Sequence, residues 1–315
     1  MKTVKLGKTD IVVSALGLGT SSLCKRGRPP EEQAIATIHR ALDLGITLID
    51  TADVYCLDES EKHYGELLIR KALTTYTGDS SQVVVATRGG CLRINGELVN
   101  NGNPTYLRQA IRKSFEALGG KKPIDLWMYH RPDPNYTVEE SLKPAQEALA
   151  SGMIRSVGVS NISLKQLQRA REIVDITAVE NQYNLWQRKN ESNGILGYCE
   201  REKITFLPWS PLGGVGGVRR TKSLDDLSLL SNLAKAKGVS VYCILLAWLR
   251  AKSSVILPIP GASRPATIED SVKAMTVTLS TKEVAQIDAL LPPSLFDRGI
   301  FAWMKRYLKQ LTPIS

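Results

Sequence analysis

Eight short runs of apolar and β-favouring residues recur along the chain, and an amphipathic segment follows each of the first seven. The runs are ALGLGT (15–20), TLIDTA (47–52), VVVATR (83–88), IDLWMYH (124–130), RSVGVSN (155–161), AVENQYN (178–184), TFLPWS (205–210) and VILPIPG (255–261). Their near-continuous apolar character is that of strands buried on both faces, as in a parallel sheet. Several intervening segments carry helix grammar. PEEQAIATIHRALDLG has Pro30 at its start, acids next and Gly45 as a stop. PTYLRQAIRKSFEALGG and TVEESLKPAQEALASG repeat the scheme, and Ser163 is placed to cap SLKQLQRAREIV. Alternation of this kind builds βα units, and eight units in about 250 residues predict an α/β fold, a closed (β/α)8 TIM barrel.

The ends of the chain fall outside that repeat. MKTVKLGKTDIVVS (1–14) reads as a hairpin with a Gly-Lys-Thr-Asp turn, placed to cap the bottom of the barrel. Residues 15–291 are expected to form the barrel. Residues 292–315 read as a basic amphipathic helical tail with Ile300, Trp303, Met304, Tyr307 and Leu311 on one face. The whole chain, 1–315, is expected to be one domain. A doubly wound dinucleotide sheet fits less well, because GLGTSS lacks the third glycine of its fingerprint and GGVGGV is not followed by a helix in the required place.

Composition narrows the function classes. With 43% hydrophobic residues the chain can bury a large core, so disorder is not the default reading. No apolar stretch reaches the roughly 18 residues of a membrane span, and the N-terminus lacks the apolar segment of a secretory signal, so a cytoplasmic location is expected. The five cysteines are scattered without a CxxC pair, which argues for reduced thiols and against a disulfide framework or a zinc site. The net charge of +10 could serve nucleic acid or an anionic cofactor. Basic residues are spread out, with no run of five and no interleaved aromatics, so nucleic acid is not an expected partner.

In such a barrel, chemistry sits where the strands end. The second run ends at Asp50, with Asp53 and Tyr55 just after; the third ends at Arg88, the fourth at His130, and the fifth at Ser160 and Asn161. Glu180 and Gln182 lie along the sixth. Each residue alone has an ordinary structural explanation, such as a cap or an ion pair. Together, on neighbouring strands, they aim an acid, a phenol, a guanidinium and an imidazole at one mouth. That set suits proton transfer at a carbonyl or alcohol oxygen. None of these groups carries electrons, so redox work requires a cofactor. SPLGGVGG and PGASRPAT follow the seventh and eighth runs, where phosphate sites of such barrels often lie, and the second of them precedes a helix N-terminus.

LGKTDIVVSALGLGT, LIDTADVY, VVVATRGG, IDLWMYHRPDP, GMIRSVGVSN, VENQYNL, LPWSPLGG and PIPGASRPATIEDS follow one another in order over roughly residues 1–291. On these segments the chain resembles the aldo-keto reductases, in particular members that reduce aldehydes, ketones or sugars with NADPH. The resemblance implies a catalytic tetrad at Asp50, Tyr55 (general acid in reduction), Arg88 and His130. It implies NADPH/NADP+ contacts from Gly19, Thr20 and Asp50, and from Ser160, Asn161 and Gln182 at the nicotinamide amide. Trp209 falls where an aromatic stacks on the nicotinamide ring. Ser210, Pro211, Leu212 and Gly214 fall on the pyrophosphate loop, and Ser263, Arg264 and Thr267 on the adenosine phosphate. Asp270 and Ser271 stand where Glu and Asn hold adenine. No metal is implied, and a small-molecule carbonyl compound is the implied substrate.

Arg88 departs from the pattern, because the family carries lysine there. Arginine keeps the charge and can form a two-pronged pair with Asp50, but its donors are placed differently from those of an ammonium. The expectation is therefore retained reductase chemistry with altered tuning. Two other readings use the same residues: a cofactor-binding regulatory subunit, and a redox-neutral dehydratase or epimerase in which Tyr55 and His130 move protons. CLRINGELVNNGNP, after the third run, reads as a long polar loop walling the substrate pocket.

Overall fold

A computed structural model of the chain describes residues 1–214 and 228–291. The chain opens with a hairpin of β1 (Thr3–Lys5) and β2 (Val12–Ser14), paired antiparallel with Thr3 opposite Ser14. Seven parallel strands follow: β3 (Leu18–Gly19), β4 (Leu48–Asp50), β5 (Val84–Gly89), then, after a second hairpin of β6 (Cys91–Ile94) and β7 (Glu97–Asn100), β8 (Leu126–Tyr129), β9 (Val157–Ser160), β10 (Ile176–Gln182) and β11 (Thr205–Trp209). Their spatial order from β3 to β11 is their order in the chain, the hairpin apart.

Residues 255–261 close the ring in place of an eighth regular strand. Phe206 N donates to Val255 O at 2.8 Å and Leu257 N to Phe206 O at 2.9 Å on one side. On the other, Gly17 N and Gly19 N donate to Pro258 O and Pro260 O at 2.9 and 3.0 Å. The two prolines have no N–H to donate back, so the ladder there is half-made and the strand is irregular. The barrel is nevertheless closed, as the alternation predicts.

The helices form where their end signals stand. Helix Pro104–Ala117 has Pro104 in its first turn, with Asn103 accepting from Thr105 N and Tyr106 N. Helices Val138–Ala150 and Leu164–Ile173 carry reciprocal capping boxes, Thr137 with Glu140 and Ser163 with Gln166. Each lays its apolar stripe on the outside of the sheet. The interior is a separate cluster of Leu48, Val84, Ala86, Leu126, Met128, Ala178, Leu207, Leu257 and Ile259, with Leu6, Ile11 and Val13 of the first hairpin region seated against it. Burial of each such Leu, Ile or Val contributes about 1.5–3 kcal/mol.

One expectation is corrected. The segment after β5 is a regular β-hairpin, not an irregular polar loop. Asn95 and Gly96 sit at its turn with φ of 52° and 81°, the left-handed pair that an Asn-Gly hairpin turn requires. Residues 292–315, including the expected amphipathic tail, lie outside the described residues, as does the part of the glycine-rich loop after Gly214. Among the described residues no single helix is long and apolar enough to cross a membrane.

Candidate active site

Side chains alternate across a strand, so the residues two positions beyond the interior layer also face the barrel axis. Leu48 leads to Asp50, Ala86 to Arg88, Met128 to His130, Ala178 to Glu180 and on to Gln182, and Leu207 to Trp209. The period that builds the apolar interior thus delivers the polar set at its upper end.

Arg88 is the hub. Its side chain is 2% exposed, and its guanidinium makes four hydrogen bonds. Nη1 and Nη2 donate to Asp50 Oδ1 and Oδ2 at 2.6 and 3.1 Å, Nη1 also donates to Glu180 Oε2, and Nη2 donates to the Tyr55 hydroxyl oxygen. The phenol oxygen is therefore an acceptor toward Arg88, which leaves its own O–H free to be given away.

Two carboxyls share one cation in a closed space. Burial pushes the Glu180 carboxyl up to about 8 against the pull of Arg88. Asp50 receives two N–H donors and Glu180 one, so Asp50 is the partner that ionises first and Glu180 keeps its proton at neutral pH. Burial opposes the charge on Arg88, but Asp50, Glu180 and Tyr55 more than offset it and hold the guanidinium protonated. Burial likewise lifts the Tyr55 phenol above its usual range, with Arg88 pulling the other way. His130 is pushed far below the usual imidazole range by burial and then by Arg88, Lys25, Arg131 and Arg93, so it is neutral.

Around His130 the side chains orient one another. The imidazole Nδ1 is buried with no partner among the described residues. Asn161 donates from Nδ2 to His130 O and to Ser160 Oγ, both at 3.0 Å, and accepts from Trp209 Nε1 at 3.1 Å. Ser160 Oγ donates to Glu180 O at 2.8 Å. The Asn161 amide is thus already engaged, while the Gln182 side chain makes no hydrogen bond among the described residues. Asn161 and Ser210 have φ of 55° and 49°, left-handed conformations uncommon for residues other than glycine, each just after a strand.

The remaining residues singled out in the sequence form a second group along the loops. Thr20 is fully buried and gives both its N–H and its hydroxyl to Asp50 O at 2.9 Å. Gly19 lies so close to residue 259 that a Cβ there would stand 2.9 Å from Ile259 O. Asn184 Nδ2 holds Ser210 O at 2.9 Å, and Gly213 N returns to the same oxygen at 2.8 Å, so Ser210, Pro211, Leu212 and Gly213 form a tight turn with Gly214 next after it. Ser263 and Arg264 are exposed at the N-terminus of helix Pro265–Lys273, with Thr267 in its first turn. Asp270 accepts from Ser240 Oγ at 2.5 Å, and the buried Ser271 donates to Thr267 O at 3.0 Å, so both are occupied within the protein. Asp53 faces away from the tetrad toward Lys62 Nζ, at 3.8 Å, and burial pushes its carboxyl up to about 7.

Sequence reasoning left Glu180 without a role and passed over Lys25. The alternation along β10 puts Glu180 and Gln182 on one face and cannot choose between them; depth in the barrel does. Lys25 follows helix Ser21–Cys24 in the first loop, and its Nζ lies 4.4 Å from the centroid of the Tyr55 ring. Its only sequence signal is its place after the first strand.

The aldo/keto reductase family profile matches residues 15–292. An uncharacterized oxidoreductase of Schizosaccharomyces pombe is 36% identical over 291 residues, covering 91% of this chain and 89% of that protein. Aldo-keto reductase YhdN of Bacillus subtilis is 29% identical over 94% of this chain and 96% of its own length. Among solved structures, an aldo-keto reductase from Klebsiella pneumoniae in complex with NADPH superposes with a TM-score of 0.77 at 26% identity, covering 93% of this chain and 95% of that one. With a closed barrel, a capping hairpin and polar side chains gathered at the strand ends, the chain belongs to the aldo/keto reductase family.

Proposed function

We propose that the protein is an NADPH-dependent oxidoreductase that reduces a carbonyl compound (an aldehyde, ketone or sugar) to an alcohol, with Tyr55 as the general acid. The observation that carries this reading is the bond from Arg88 to the phenol oxygen of Tyr55. It places a fixed positive charge where a phenolate forms and leaves the phenol proton to be donated. Asp50 anchors the guanidinium through two hydrogen bonds. His130, kept neutral, orients the substrate oxygen toward Tyr55.

The chain's residues fit a nicotinamide dinucleotide. Trp209 offers a half-buried ring at the mouth, and the Ser210–Gly214 turn has left-handed residues at 210, 213 and 214 that bring backbone close to a ligand. Gly19, Thr20 and Asp50 are assigned to the cofactor as well, and Ser160, Asn161 and Gln182 to the nicotinamide amide. Of these three, Gln182 carries the free amide. Ser263, Arg264 and Thr267, at a helix N-terminus, suit the adenosine phosphate, and Arg264 is the reason for preferring NADPH to NADH. Asp270 and Ser271 are assigned to the adenine, although Ser240 and Thr267 O already engage their side chains. When bound, the cofactor supplies the hydride that none of the protein's side chains can.

The reading is tested by following NADPH fluorescence on addition of protein, then nicotinamide absorbance with an aldehyde and ketone panel, for the wild type and Arg88→Lys together. Binding with turnover in the wild type is the expected result. Binding without turnover in either form would favour a regulatory subunit or redox-neutral chemistry, and isotope transfer from labelled cofactor to product separates the latter from a reductase.

A further inference from the structure

The mouth of the barrel holds more positive charge than the tetrad uses. Arg88 is matched by ionised Asp50, with protonated Glu180 accepting a further bond, and the carboxyls of Asp53 and Glu59 lie with Lys62 behind the site. Lys25 and Arg131 make no ion pair or side-chain hydrogen bond among the described residues. Arg93 is buried and donates to two carbonyl oxygens, Val54 O at 3.0 Å and Gly96 O at 2.7 Å, so no carboxylate receives its side chain. All three act on His130, together with Arg88, in the sense expected of nearby positive charge.

We propose that Lys25 is a specificity-determining residue that reads an anionic group on the substrate. The preferred substrates are then carbonyl compounds carrying a carboxylate or a phosphate a few ångströms from the reacting carbon. The inference rests on the reductase reading above. Lys25 is the cation best placed for it: it is half-buried, and it stands over the ring of the residue that protonates the substrate. Burial, then Arg88 and Arg93, push its ammonium down to about 8, and among the described residues no carboxylate is paired with it, which leaves the partner for a substrate to bring. Arg93 and Arg131 add to the field without needing to touch the ligand. The phosphate-holding loops assigned above follow the seventh and eighth runs of the barrel, whereas Lys25 follows the first and reaches toward Tyr55.

The test compares charged substrates with neutral isosteres: succinic semialdehyde against butanal, and glyceraldehyde 3-phosphate against glyceraldehyde. Each is assayed with NADPH for the wild type, Lys25→Met and Lys25→Arg. The wild type should prefer one charged member over its isostere in kcat/KM, and which pair shows the preference tells carboxylate from phosphate. Lys25→Met should reduce that ratio about 10- to 100-fold, as expected for loss of a charge-assisted contact in a half-buried site. The change should appear in KM more than in kcat, and Lys25→Arg should restore most of it. Equal kcat/KM for charged and neutral members in the wild type would overturn the inference while leaving the reductase reading intact. An equal loss on both members with weakened NADPH binding in Lys25→Met would also overturn it, by placing the lysine at the cofactor. Should neither aldehyde turn over, the reductase reading fails, and calorimetry with NADP+ and 4-hydroxybutyrate or glycerol 3-phosphate decides alone. Binding of either that Lys25→Met abolishes supports the anion site, and no binding of either overturns it.

Discussion

Replacing Glu180 by glutamine keeps the shape of the side chain and removes its ability to ionise. In the wild type Glu180 and Tyr55 are held by the two ends of one guanidinium. An oxygen-to-oxygen separation of about 6 Å at an effective dielectric of about 20 gives roughly 2.8 kcal/mol, or about two pKa units, between ionised Glu180 and tyrosinate. Glu180 holds its proton up to about 8, so this repulsion is absent at neutral pH and grows above it. On the proposed mechanism, alcohol oxidation uses Tyr55 as the base. Its kcat/KM with NADP+ should therefore be held back in the wild type above about pH 8 and released in Glu180→Gln, by about 10- to 100-fold at pH 9.5. The gap should close toward pH 6.5. Folding stability gives a second measure. The folded carboxyl titrates near 8 against an ordinary 4.5, so its stabilising contribution is fully present below about 4.5 and declines as pH rises to 8. Urea melts should show that decline in the wild type and a flatter dependence in Glu180→Gln. Parallel profiles for the two proteins, in both rate and stability, would refute the assignment of the proton to Glu180.

Arg88→Met leaves Asp50 and Glu180 buried without their cation and should cost about 3–5 kcal/mol of stability in urea unfolding, together with turnover; a loss below 1 kcal/mol would mean the carboxyls find water. Arg88→Lys concentrates the charge on one nitrogen and cannot reproduce the four guanidinium contacts, so it should melt lower than the wild type while still binding NADPH by fluorescence. Arg188 is buried and ties Glu191 at 2.6 and 2.8 Å to Asp288 at 2.9 Å, with Leu291 O also at 2.9 Å. Arg188→Met should cost about 3–5 kcal/mol in urea unfolding and expose helix Thr281–Leu290 to early proteolysis. A Cβ on Gly158 would stand 2.6 Å from Met128 Cγ and 2.9 Å from Ala178 O, so Gly158→Ala should lose about 1–3 kcal/mol in thermal unfolding, and an unchanged Tm would show that the interior yields.

The barrel was legible because its signals repeat: seven of the eight apolar runs form regular strands, and caps such as Thr137, Ser163 and Pro104 stand where the helices begin. The exceptions have local causes. Pro258 and Pro260 leave the eighth run with half a ladder, a cost that composition alone understates. The Asn95–Gly96 turn was visible in the sequence, but the polar residues around it hid a hairpin whose strands face solvent on one side. At the site, Asp50, Tyr55, Arg88 and His130 could be found because each ends or follows a strand. Glu180 could not be separated from Gln182, since a period of two gives direction and not depth. Lys25 lies in a loop, where no periodicity applies, and its position over Tyr55 depends on how helix Ser21–Cys24 folds back.

The first hairpin region seats Leu6, Ile11 and Val13 under nine apolar side chains of the barrel interior. Among the described residues the lower end is a closed floor, and Asp50, Tyr55, Arg88 and His130 stand above it at the mouth. On the proposed reaction, a proton that Tyr55 gives to a product is replaced from solvent through the mouth by which the product leaves and the next substrate enters. Restocking and loading therefore take turns, and a bulky product that lingers starves the phenol of its proton as well as blocking the seat.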